Sequence, residues 1–369
     1  MAIWESSLEG LVMTPEFWRE RRVLITGHTG FKGSWLSLWL QSMNTRLFGY
    51  ALAPPTKPSL FEIAGVSQGM TSIIGDIRDL TKLNSVFADH QPEIVIHMAA
   101  QPLVRRSYQD PVETYSTNVM GTVHVLEAIR NTSSVKAVVN VTSDKCYENR
   151  EWVWSYRENE PIGGFDPYSS SKSCAELVSA AYRSSFFNAN EYKTHGIAVA
   201  TVRAGNVIGG GDWAQDRLIP DVIRAFEQGR SANIRNPNAI RPWQHVMEPL
   251  HGYLTLAERL FKDGASFGEA WNFGPYSEDF KPVRWIVERI ADLWGPDAHW
   301  QSDSSMHPHE ANCLKLDISK ACSRLDWRPT LPLKDTLKLI VEWTKQRQSG
   351  ANMRQLTLAQ LSSYQSLVK

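Results

Sequence analysis

The chain has 369 residues, of which 42% are hydrophobic and 21% charged, and its 39 Lys plus Arg balance 39 Asp plus Glu. This length supports a sizeable core, and the zero formal net charge gives no general attraction to nucleic acid or to an anionic membrane. We therefore expect neither nucleic acid nor a membrane as a partner.

The predicted elements alternate between strand and helix over the first two hundred residues. Strands are predicted at 23–26, 46–51, 71–75, 93–98, 135–142 and 196–202. A helix follows the first strand, and longer helices are predicted over 110–130 and 167–187. Strands separated by helices imply right-handed crossovers, so the pattern predicts an α/β fold with a doubly wound parallel sheet of the Rossmann type.

Beyond about residue 205 the pattern changes to short helices and to loops rich in Asn, Pro, Arg and Trp. Helices are predicted there at 219–228, 249–261, 283–293 and 333–347, and Trp271-Asn272-Phe273 is predicted to return to the sheet. We divide the chain into a core domain of residues 1–204, with strand and helix returns from about 240–295, and a smaller mixed C-terminal substrate lobe of residues 205–369.

The cysteines indicate the compartment. Cys146, Cys174, Cys313 and Cys322 form no Cys-x-x-Cys pair and no zinc-type spacing, so we interpret them as reduced thiols. The start of the chain has no basic segment followed by an apolar stretch, which predicts no signal peptide. We expect a cytoplasmic protein.

A glycine-rich turn directly follows the first predicted strand and opens a helix. Glycines at the first, fourth and seventh positions permit a tight turn and close backbone approach, and the helix N-terminus favours an anion. The turn predicts contact with a dinucleotide pyrophosphate through Gly27, His28, Thr29, Gly30, Phe31, Lys32 and Gly33. A plain β-to-α turn is the alternative interpretation.

The choice between NAD and NADP stays open at this point. The acidic residue that usually follows the second strand is missing, because the chain there reads Gly49-Tyr50-Ala51-Leu52-Ala53. His28 and Lys32 leave room for an extra phosphate. We predict NAD as the cofactor, with NADP not excluded.

Tyr168 and Lys172 lie four residues apart and therefore on one face of a predicted helix. A cation close to a phenol favours the phenolate. Such a tyrosine can remove the proton of a substrate hydroxyl while a nicotinamide takes the hydride from the same carbon. The pair therefore predicts oxidation of an alcohol.

Ser143, Asp144 and Lys145 end the fifth predicted strand. Ser143 can hydrogen-bond the same substrate oxygen as Tyr168, Asp144 can act as a general acid, and Lys145 can act at an adjacent carbon. The alternative is a strand-end aspartate that caps a loop.

Further cofactor contacts are expected at the ends of other strands. Asp76 and Ile77 follow the third strand, where adenine would lie, and Ala99, Ala100 and Gln101 follow the fourth. Asn118 lies inside the long helix and either holds the backbone between strands or relays water.

The glycine turn, Ser143-Asp144 and Tyr168/Lys172 resemble the extended short-chain dehydrogenase/reductases over nearly the whole chain. Within that superfamily the chain resembles the nucleotide-sugar 4,6-dehydratases, which carry Thr-Asp-Glu where it has Ser143-Asp144-Lys145. The lysine variant, with Gly-His-Thr-Gly-Phe-Lys-Gly-Ser-Trp-Leu and Arg-Pro-Trp-Gln-His-Val, is similar to the CDP-D-glucose 4,6-dehydratases.

The resemblance implies an internal redox cycle on CDP-D-glucose. Tyr168 would remove the proton of the sugar 4-hydroxyl as C4 is oxidised, and Asp144 would protonate the departing 6-hydroxyl. Hydride would then return to C6, leaving CDP-4-keto-6-deoxy-D-glucose. Lys145 replaces the glutamate that removes the C5 proton in the dTDP-sugar relatives, so it would act either as a neutral base or as a cation that stabilises the enolate.

The resemblance also places the nucleotide diphosphate in the C-terminal lobe, where Arg203, Arg217, Arg224, Arg230, Arg235 and Arg241 fall in one stretch without lysine. Arginine suits bidentate phosphate contacts, and we expect about half of these six to touch the ligand. The implied substrate contacts are Arg105, Asn206, Leu218, Ile219, Arg235, Arg241, His309 and Glu310. His307, His309 and Glu310 lack a fourth ligand, so we expect no metal.

The resemblance finally implies a homodimer built from 110–130 and 167–187 of each subunit, possibly assembled into a homotetramer. Its downstream use would be in deoxysugar biosynthesis for a cell-surface polysaccharide such as the O antigen of lipopolysaccharide. Two alternatives remain: an epimerase or reductase of the same fold, and a cofactor-sensing binding protein. The second would be expected to lack Tyr168 or Lys172, and both are present.

Overall fold

The structure, a computed structural model, describes residues 14–303, 305 and 311–368. Its strands in chain order are β1 (Arg22–Thr26), β2 (Arg46–Ala51), β3 (Thr71–Ile74), β4 (Ile94–His97), β5 (Ala137–Val141), β6 (Ala198–Ala204), β7 (Asn206–Ile208), β8 (Ala232–Ile234), β9 (Ile240–His245), β10 (Ala270–Phe273), β11 (Phe280–Pro282) and β12 (Trp300–Ser302). Its helices are α1 (Pro15–Trp18), α2 (Phe31–Ser42), α3 (Leu60–Ile63), α4 (Leu80–His90), α5 (Val104–Gln109), α6 (Pro111–Tyr115), α7 (Gly121–Arg130), α8 (Pro167–Ser185), α9 (Tyr192–His195), α10 (Leu218–Glu227), α11 (Met247–Asp263), α12 (Val283–Trp294), α13 (Ser319–Arg324), α14 (Leu333–Gln348) and α15 (Met353–Leu367).

Seven parallel strands form the central sheet, in the order β10-β6-β5-β4-β1-β2-β3. The chain direction across the sheet reverses between β1 and β4, and in such sheets ligands bind outside the carboxyl ends of the strands near this point. The predicted doubly wound fold is confirmed, and the predicted return of Trp271-Asn272-Phe273 to the sheet corresponds to β10 beside β6.

Both faces of the sheet are covered by helices, which explains why the strands are apolar throughout. In β1, Val23 and Ile25 belong to the hydrophobic core under α2 and α11, whereas Leu24 belongs to the core under α4 and α7. This alternation follows from the two-residue period of a strand. The sheet therefore separates two cores, with the carboxyl ends of its strands left for function.

The smaller lobe contains a three-stranded sheet, β11-β9-β7, and the pair β12-β8. Its core joins α10, α12 and α14 through residues such as Val222, Ile286 and Leu337. Among the described residues, no helix combines the length and the apolar character that crossing a membrane requires.

The predicted helix over 110–130 is interrupted. A π-helical turn, Ser116–Met120, separates α6 from α7. The turn carries Asn118, whose side chain bonds both backbone groups of Gln101. Such π-turns often occur at functional sites, and no periodicity in the sequence marked this one.

The C-terminal helices reach further back than predicted. α15 was not predicted, and it packs on α2, with the Tyr364 and Trp39 rings 5.8 Å apart. Its apolar residues are interspersed with Ser and Gln, so the apolar contrast between its two sides is weak in sequence. Helix α4 was likewise not singled out. The end of the chain thus returns to the main core instead of remaining in the substrate lobe.

Candidate active site

The glycine turn and the Ser143-Asp144-Lys145 segment follow β1 and β5, which are separated in the sheet only by β4. The carboxyl ends of parallel strands lie at one edge, so the fold brings the two segments to the same side. Helix α8 begins at Pro167 and presents Tyr168 and Lys172 from its first turns. The predicted nucleotide and catalytic residues therefore share one edge of the sheet.

Each glycine of the turn meets a different requirement. Gly27 has a φ of +79°, and a Cβ there would lie 2.8 Å from the Ala99 nitrogen. At Gly33 a Cβ would collide with the Gly27 carbonyl oxygen. A Cβ at Gly30 would meet only that same oxygen, at 3.5 Å, and the φ of −78° suits any residue. The protein itself therefore has no need of glycine at position 30, which leaves that backbone open to a ligand.

The side chains within the turn are not arranged for an additional phosphate. The His28 imidazole is buried, its Nε2 lies 2.7 Å from Ser72 Oγ, and burial lowers its pKa to about 4. Thr29 donates to the Leu52 carbonyl at 2.8 Å, tying the turn to the end of β2. His28 is therefore neutral and cannot offer the phosphate-binding cation considered from the sequence.

Lys32 of the same turn interacts electrostatically with the predicted catalytic residues Asp144 and Lys172. Burial, together with the charges of Arg217 and Lys172, lowers its pKa to about 7, while Asp144 and Asp212 oppose that change. The turn thus contributes a lysine close to the predicted chemistry.

Tyr168, Ser143 and Asp144 form one hydrogen-bonded group. The Ser143 hydroxyl bonds the Tyr168 phenol and lies 3.1 Å from Asp144 Oδ1. Burial raises the pKa of Tyr168 to about 12, opposed chiefly by the Ser143 hydrogen bond and, among charges, by Arg217. Burial also raises the pKa of Asp144, opposed by Lys145, Ser143 and Arg241. The site therefore holds a buried phenol and a buried carboxyl, both with raised pKa values.

Lys172 has a different partner from the one expected. Its Nζ donates to the Val141 carbonyl at 3.1 Å, and burial lowers its pKa to about 8, opposed by Glu176 and Cys146. The expected net lowering of the Tyr168 pKa is not seen, because burial outweighs the favourable contributions.

Asn118 has a structural role in the fold. Its Oδ1 accepts from the Gln101 nitrogen at 2.8 Å, and its Nδ2 donates to the Gln101 carbonyl at 3.0 Å and to Ser171 Oγ at 2.9 Å. Both donor hydrogens are therefore used. Of the two interpretations of Asn118, the geometry favours the residue that holds the backbone.

The other predicted adenine and cofactor residues line the ends of β3 and β4. The Asp76 carboxylate accepts hydrogen bonds from the Arg78 backbone nitrogen at 2.9 Å and from Arg78 Nε at 3.0 Å. The interaction with Arg78 lowers the Asp76 pKa. Ile77 is buried, and Ala99 and Ala100 are half-buried at the end of β4.

Two of the predicted substrate arginines converge on an aspartate that the sequence did not single out. Arg235 Nη1 lies 3.2 Å and Arg105 Nε 3.5 Å from Oδ1 of Asp216. Asp216 directly precedes Arg217 and the start of α10 at Leu218. A cluster of Arg105, Arg235 and Asp216 thus lies next to the start of the predicted base-binding segment.

The remaining predicted substrate residues have their own local contacts. Arg241 donates to the carbonyl oxygens of Ile240, at 2.9 Å, and Ala311. Asn206 starts β7 and is half-buried, whereas the Ile219 side chain lies in the lobe core, so only its backbone can face a base. His309 and Glu310 lie outside the described residues, as does His307. In the part of the chain that is described, no group of three or more His, Cys, Asp or Glu is arranged to hold a metal.

The six arginines of the C-terminal stretch have separate roles. Arg203 is buried in an ion pair with Glu176 at 2.9 Å. Arg217 pairs with Asp212 at 2.9 Å and acts on Tyr168, so it belongs to the site although it was not selected from the sequence. In the sequence, the position of Arg217 directly before the predicted substrate contacts Leu218 and Ile219 could have indicated that it belongs to the site.

Known proteins are similar to this chain in sequence and in fold. The family described as GDP-mannose 4,6 dehydratase matches residues 24–340. A CDP-glucose 4,6-dehydratase of Salmonella typhimurium is 60% identical over 95% of this chain and 98% of its own length. A dTDP-glucose 4,6-dehydratase of Shigella flexneri is 24% identical over 87% of this chain and 92% of its own.

Two solved structures share the fold. The dTDP-glucose 4,6-dehydratase of Bacillus anthracis in complex with NAD has a TM-score of 0.71 and 23% identity, covering 89% of this chain and 98% of its own. The UDP-glucose 4-epimerase of Thermotoga maritima with UDP-glucose has a TM-score of 0.75 and 20% identity, covering 88% and 99%. The resemblance inferred from the motifs is confirmed, and the chain belongs to the GDP-mannose 4,6-dehydratase family.

Proposed function

We propose that the protein is a hydro-lyase that converts CDP-D-glucose into CDP-4-keto-6-deoxy-D-glucose and water, with NAD as an internal redox cofactor. One observation carries the proposal. A buried acid, Asp144, and a buried phenol, Tyr168, share Ser143 as a hydrogen-bond partner, in a chain 60% identical to a CDP-glucose 4,6-dehydratase along nearly its whole length.

The residues around the glycine turn fit NAD. The backbone at Gly30 is open on its outer side, and α2 begins there without a side-chain cap, so its first N–H groups suit a pyrophosphate. The neutral, buried His28 supplies no cation for the additional phosphate of NADP. When bound, NAD supplies the hydride acceptor and donor that allow one site to oxidise and later reduce the same sugar.

Tyr168 acts in the first half of the reaction. It takes the proton of the 4-hydroxyl as C4 becomes a ketone, while the Ser143 hydroxyl holds the same oxygen. Because burial raises the pKa of Tyr168 to about 12, the phenolate needs the Ser143 hydrogen bond and nearby positive charge. Arg217 supplies part of this charge.

Asp144 and Lys145 act in the second half. Burial raises the pKa of Asp144, and its carboxyl gives a proton to the departing 6-hydroxyl. The ketone makes the C5 hydrogen acidic, and Lys145 acts at that carbon. A neutral Lys145 amine would take the C5 proton, whereas its ammonium would stabilise the enolate. A hydride returned to C6 and a proton added at C5 complete the 4-keto-6-deoxy sugar.

The substrate diphosphate is proposed to bind among Arg105, Arg235 and Arg241, with Asn206 nearby. Arg105 and Arg235 already meet an anion, the Asp216 carboxylate, and a phosphate would take its place as their partner. Leu218 and the Ile219 backbone would then adjoin the base. His309 and Glu310 remain proposed contacts of the phosphates or ribose.

Turnover of four nucleotide sugars tests this function. Purified protein with NAD⁺ is given CDP-glucose, dTDP-glucose, UDP-glucose or GDP-mannose, and the 4-keto-6-deoxy product is followed by its near-ultraviolet absorbance in base. We expect product from CDP-glucose and its loss in Tyr168→Phe. Product from another nucleotide alone would overturn the base preference, and inversion at C4 without loss of water would favour the epimerase alternative.

We also propose a homodimer formed through α6–α7 and α8. Val112 on α6, Met120 in the π-helical turn and Leu177 on α8 are 77%, 48% and 59% exposed. Val112 and Met120 line one surface depression together with Cys174 of α8, and such exposed apolar groups often mark an interface. Sedimentation should give a dimer mass, or a tetramer mass if two dimers associate. Leu177→Glu should yield monomers, whereas Leu367→Glu, at an equally exposed leucine on α15, should not.

A cytoplasmic location is proposed as well. All four cysteines are free in the structure, as expected for a reducing compartment. A 4-keto-6-deoxy product fits deoxysugar biosynthesis for a cell-surface polysaccharide.

A further inference from the structure

Both ends of the catalytic turn, residues 143–146, are held by one buried ion pair. Thr142, immediately before the turn, donates its hydroxyl to Glu176 Oε1 at 2.5 Å. Tyr147, immediately after it, accepts from Arg203 Nη1 at 2.8 Å. Glu176 and Arg203 bind each other in a bidentate manner, with Nε to Oε1 at 3.0 Å and Nη2 to Oε2 at 2.9 Å.

This pair is fully buried and fully bonded. Both side chains are 2% exposed, and Glu176 accepts a further hydrogen bond from Thr201 Oγ1 at 2.7 Å. Burying two charges costs as much as their attraction returns, so such pairs are poor sources of stability compared with apolar packing. What the bidentate geometry does provide is a fixed orientation.

Helix α8 carries both the phenol and the groups that hold the turn. Tyr168, Lys172 and Glu176 recur every four residues and so lie along one side of the helix. Between them, Lys172 Nζ donates to the carbonyl before Thr142, and Ser173 Oγ donates to the Cys146 carbonyl at 2.9 Å. One rigid helix therefore sets the position of Tyr168 relative to Asp144.

We propose that the Glu176–Arg203 ion pair is the positioning element of the catalytic turn, holding Asp144 at its working distance from Tyr168. The inference rests on the proposed function, because it assigns a purpose to the turn that carries the acid. Glu176 and Arg203 touch neither the sugar nor the reacting atoms. They act through Thr142 and Tyr147, and so through the backbone of Ser143 to Cys146.

Glu176 has a second effect through Lys172. Burial lowers the pKa of Lys172, whereas Glu176 and Cys146 raise it. The positive charge of Lys172 in turn lowers the pKa values of Lys32 and His97. Burial keeps His97 neutral, with a pKa of about 3, and raises the pKa of the Cys146 thiol, so Glu176 supplies the negative charge at neutral pH. Removing that charge should lower the Lys172 pKa below about 8.

Three variants and one control test the proposal. Glu176→Gln keeps the shape and removes the charge, Thr142→Val removes one hydroxyl, and Tyr147→Phe removes the contact with Arg203 together with one to Asn272. Ser179→Ala is the control. Ser179 is also buried on α8 and accepts from Asn140 Nδ2 at 2.8 Å, but none of its hydrogen bonds reaches the turn.

We expect kcat to fall about 100-fold in Glu176→Gln, the cost of misplacing a reacting group by about 1 Å. Thr142→Val and Tyr147→Phe should each lose about tenfold, as for one hydrogen bond to a charged group. KM for CDP-glucose should be unchanged in all three. Because loss of the Glu176 charge lowers the Lys172 pKa, the limb of the kcat profile that follows loss of the Lys172 proton should move to lower pH only in Glu176→Gln, a change that a purely structural role would not produce.

Amide hydrogen exchange without substrate or cofactor gives an independent measurement. Residues 142–147 should exchange faster in all three variants than in the wild type or in Ser179→Ala. A folded Glu176→Gln protein with wild-type kcat and an unshifted pH profile would overturn the proposal. If Glu176→Gln does not fold, a wild-type kcat in both Thr142→Val and Tyr147→Phe would overturn the proposal instead. If wild-type protein turns over no nucleotide sugar, the proposed function fails, and exchange still decides whether the pair holds the turn.

Discussion

Glu248 at the start of α11 makes the stability of the protein depend on pH. The carboxylate is buried, and Oε1 accepts from the backbone nitrogens of Thr330 at 2.9 Å and Leu331 at 2.6 Å. Oε2 accepts from the Tyr364 hydroxyl at 2.9 Å. Burial nevertheless dominates and raises the Glu248 pKa from 4.5 to about 7. The folded state therefore binds a proton more tightly than the unfolded chain.

The sign and size of the effect follow from this difference. A raised carboxyl pKa contributes stability that is fully present below pH 4.5 and is lost as the pH rises to about 7. A pKa difference of about 2.5 corresponds to about 3.4 kcal/mol in all. Between about pH 5 and pH 8 the loss is about 2.5 kcal/mol.

Glu248→Gln removes this dependence while preserving the contacts. The glutamine Oε1 can accept from Thr330 and Leu331, and its Nε2 can donate to the Tyr364 oxygen. Urea unfolding of both proteins at fixed concentration and several pH values measures the change. Relative to wild type, the variant should gain about 2.5 kcal/mol in unfolding free energy between about pH 5 and pH 8.

Tyr364→Phe serves as the companion measurement. The Tyr364 hydrogen bond lowers the Glu248 pKa, so its loss should extend the fall in stability to higher pH. A constant difference between wild type and Glu248→Gln across the range would refute the reasoning, because it would show that the buried carboxyl has the same pKa in both states.

Three further predictions concern the reaction. Asp144→Asn should still oxidise C4, but the rate at which the 6-hydroxyl leaves should fall about 10²–10⁴-fold. Reduced nicotinamide should therefore accumulate and be visible by absorbance in a single-turnover experiment. Normal turnover would contradict the role of Asp144 as the acid. Gly30→Ala should weaken NAD binding in calorimetry with an unchanged thermal midpoint, since a Cβ there meets only the Gly27 oxygen at 3.5 Å. Lys145→Met should slow C5 hydrogen exchange about 100-fold. Exchange at the wild-type rate in Lys145→Met would contradict a role for Lys145 at C5.

The sequence was sufficient for the fold class, and the candidate reacting residues could be proposed from it, because both depend on local patterns. Strand and helix periods predicted the doubly wound sheet, and the spacing of Tyr168 and Lys172 placed them on one helix face. The Ser143-Asp144-Lys145 segment and the glycine turn were recognisable because each is continuous in the chain. The helices α4 and α15 were missed, although α4 carries Leu83, Val86 and Phe87 at helical spacing on its buried side.

Only the tertiary structure decided which charges meet. Glu176 lies four residues after Lys172, yet nothing in its spacing indicates that it binds Arg203 on β6 and Thr142 directly after β5. Asp216, which joins Arg105 and Arg235, is equally invisible in sequence. The pKa directions of Asp144 and Tyr168 were also beyond the sequence. They depend on burial, and burial is created by segments far apart in the chain that pack around one sheet edge.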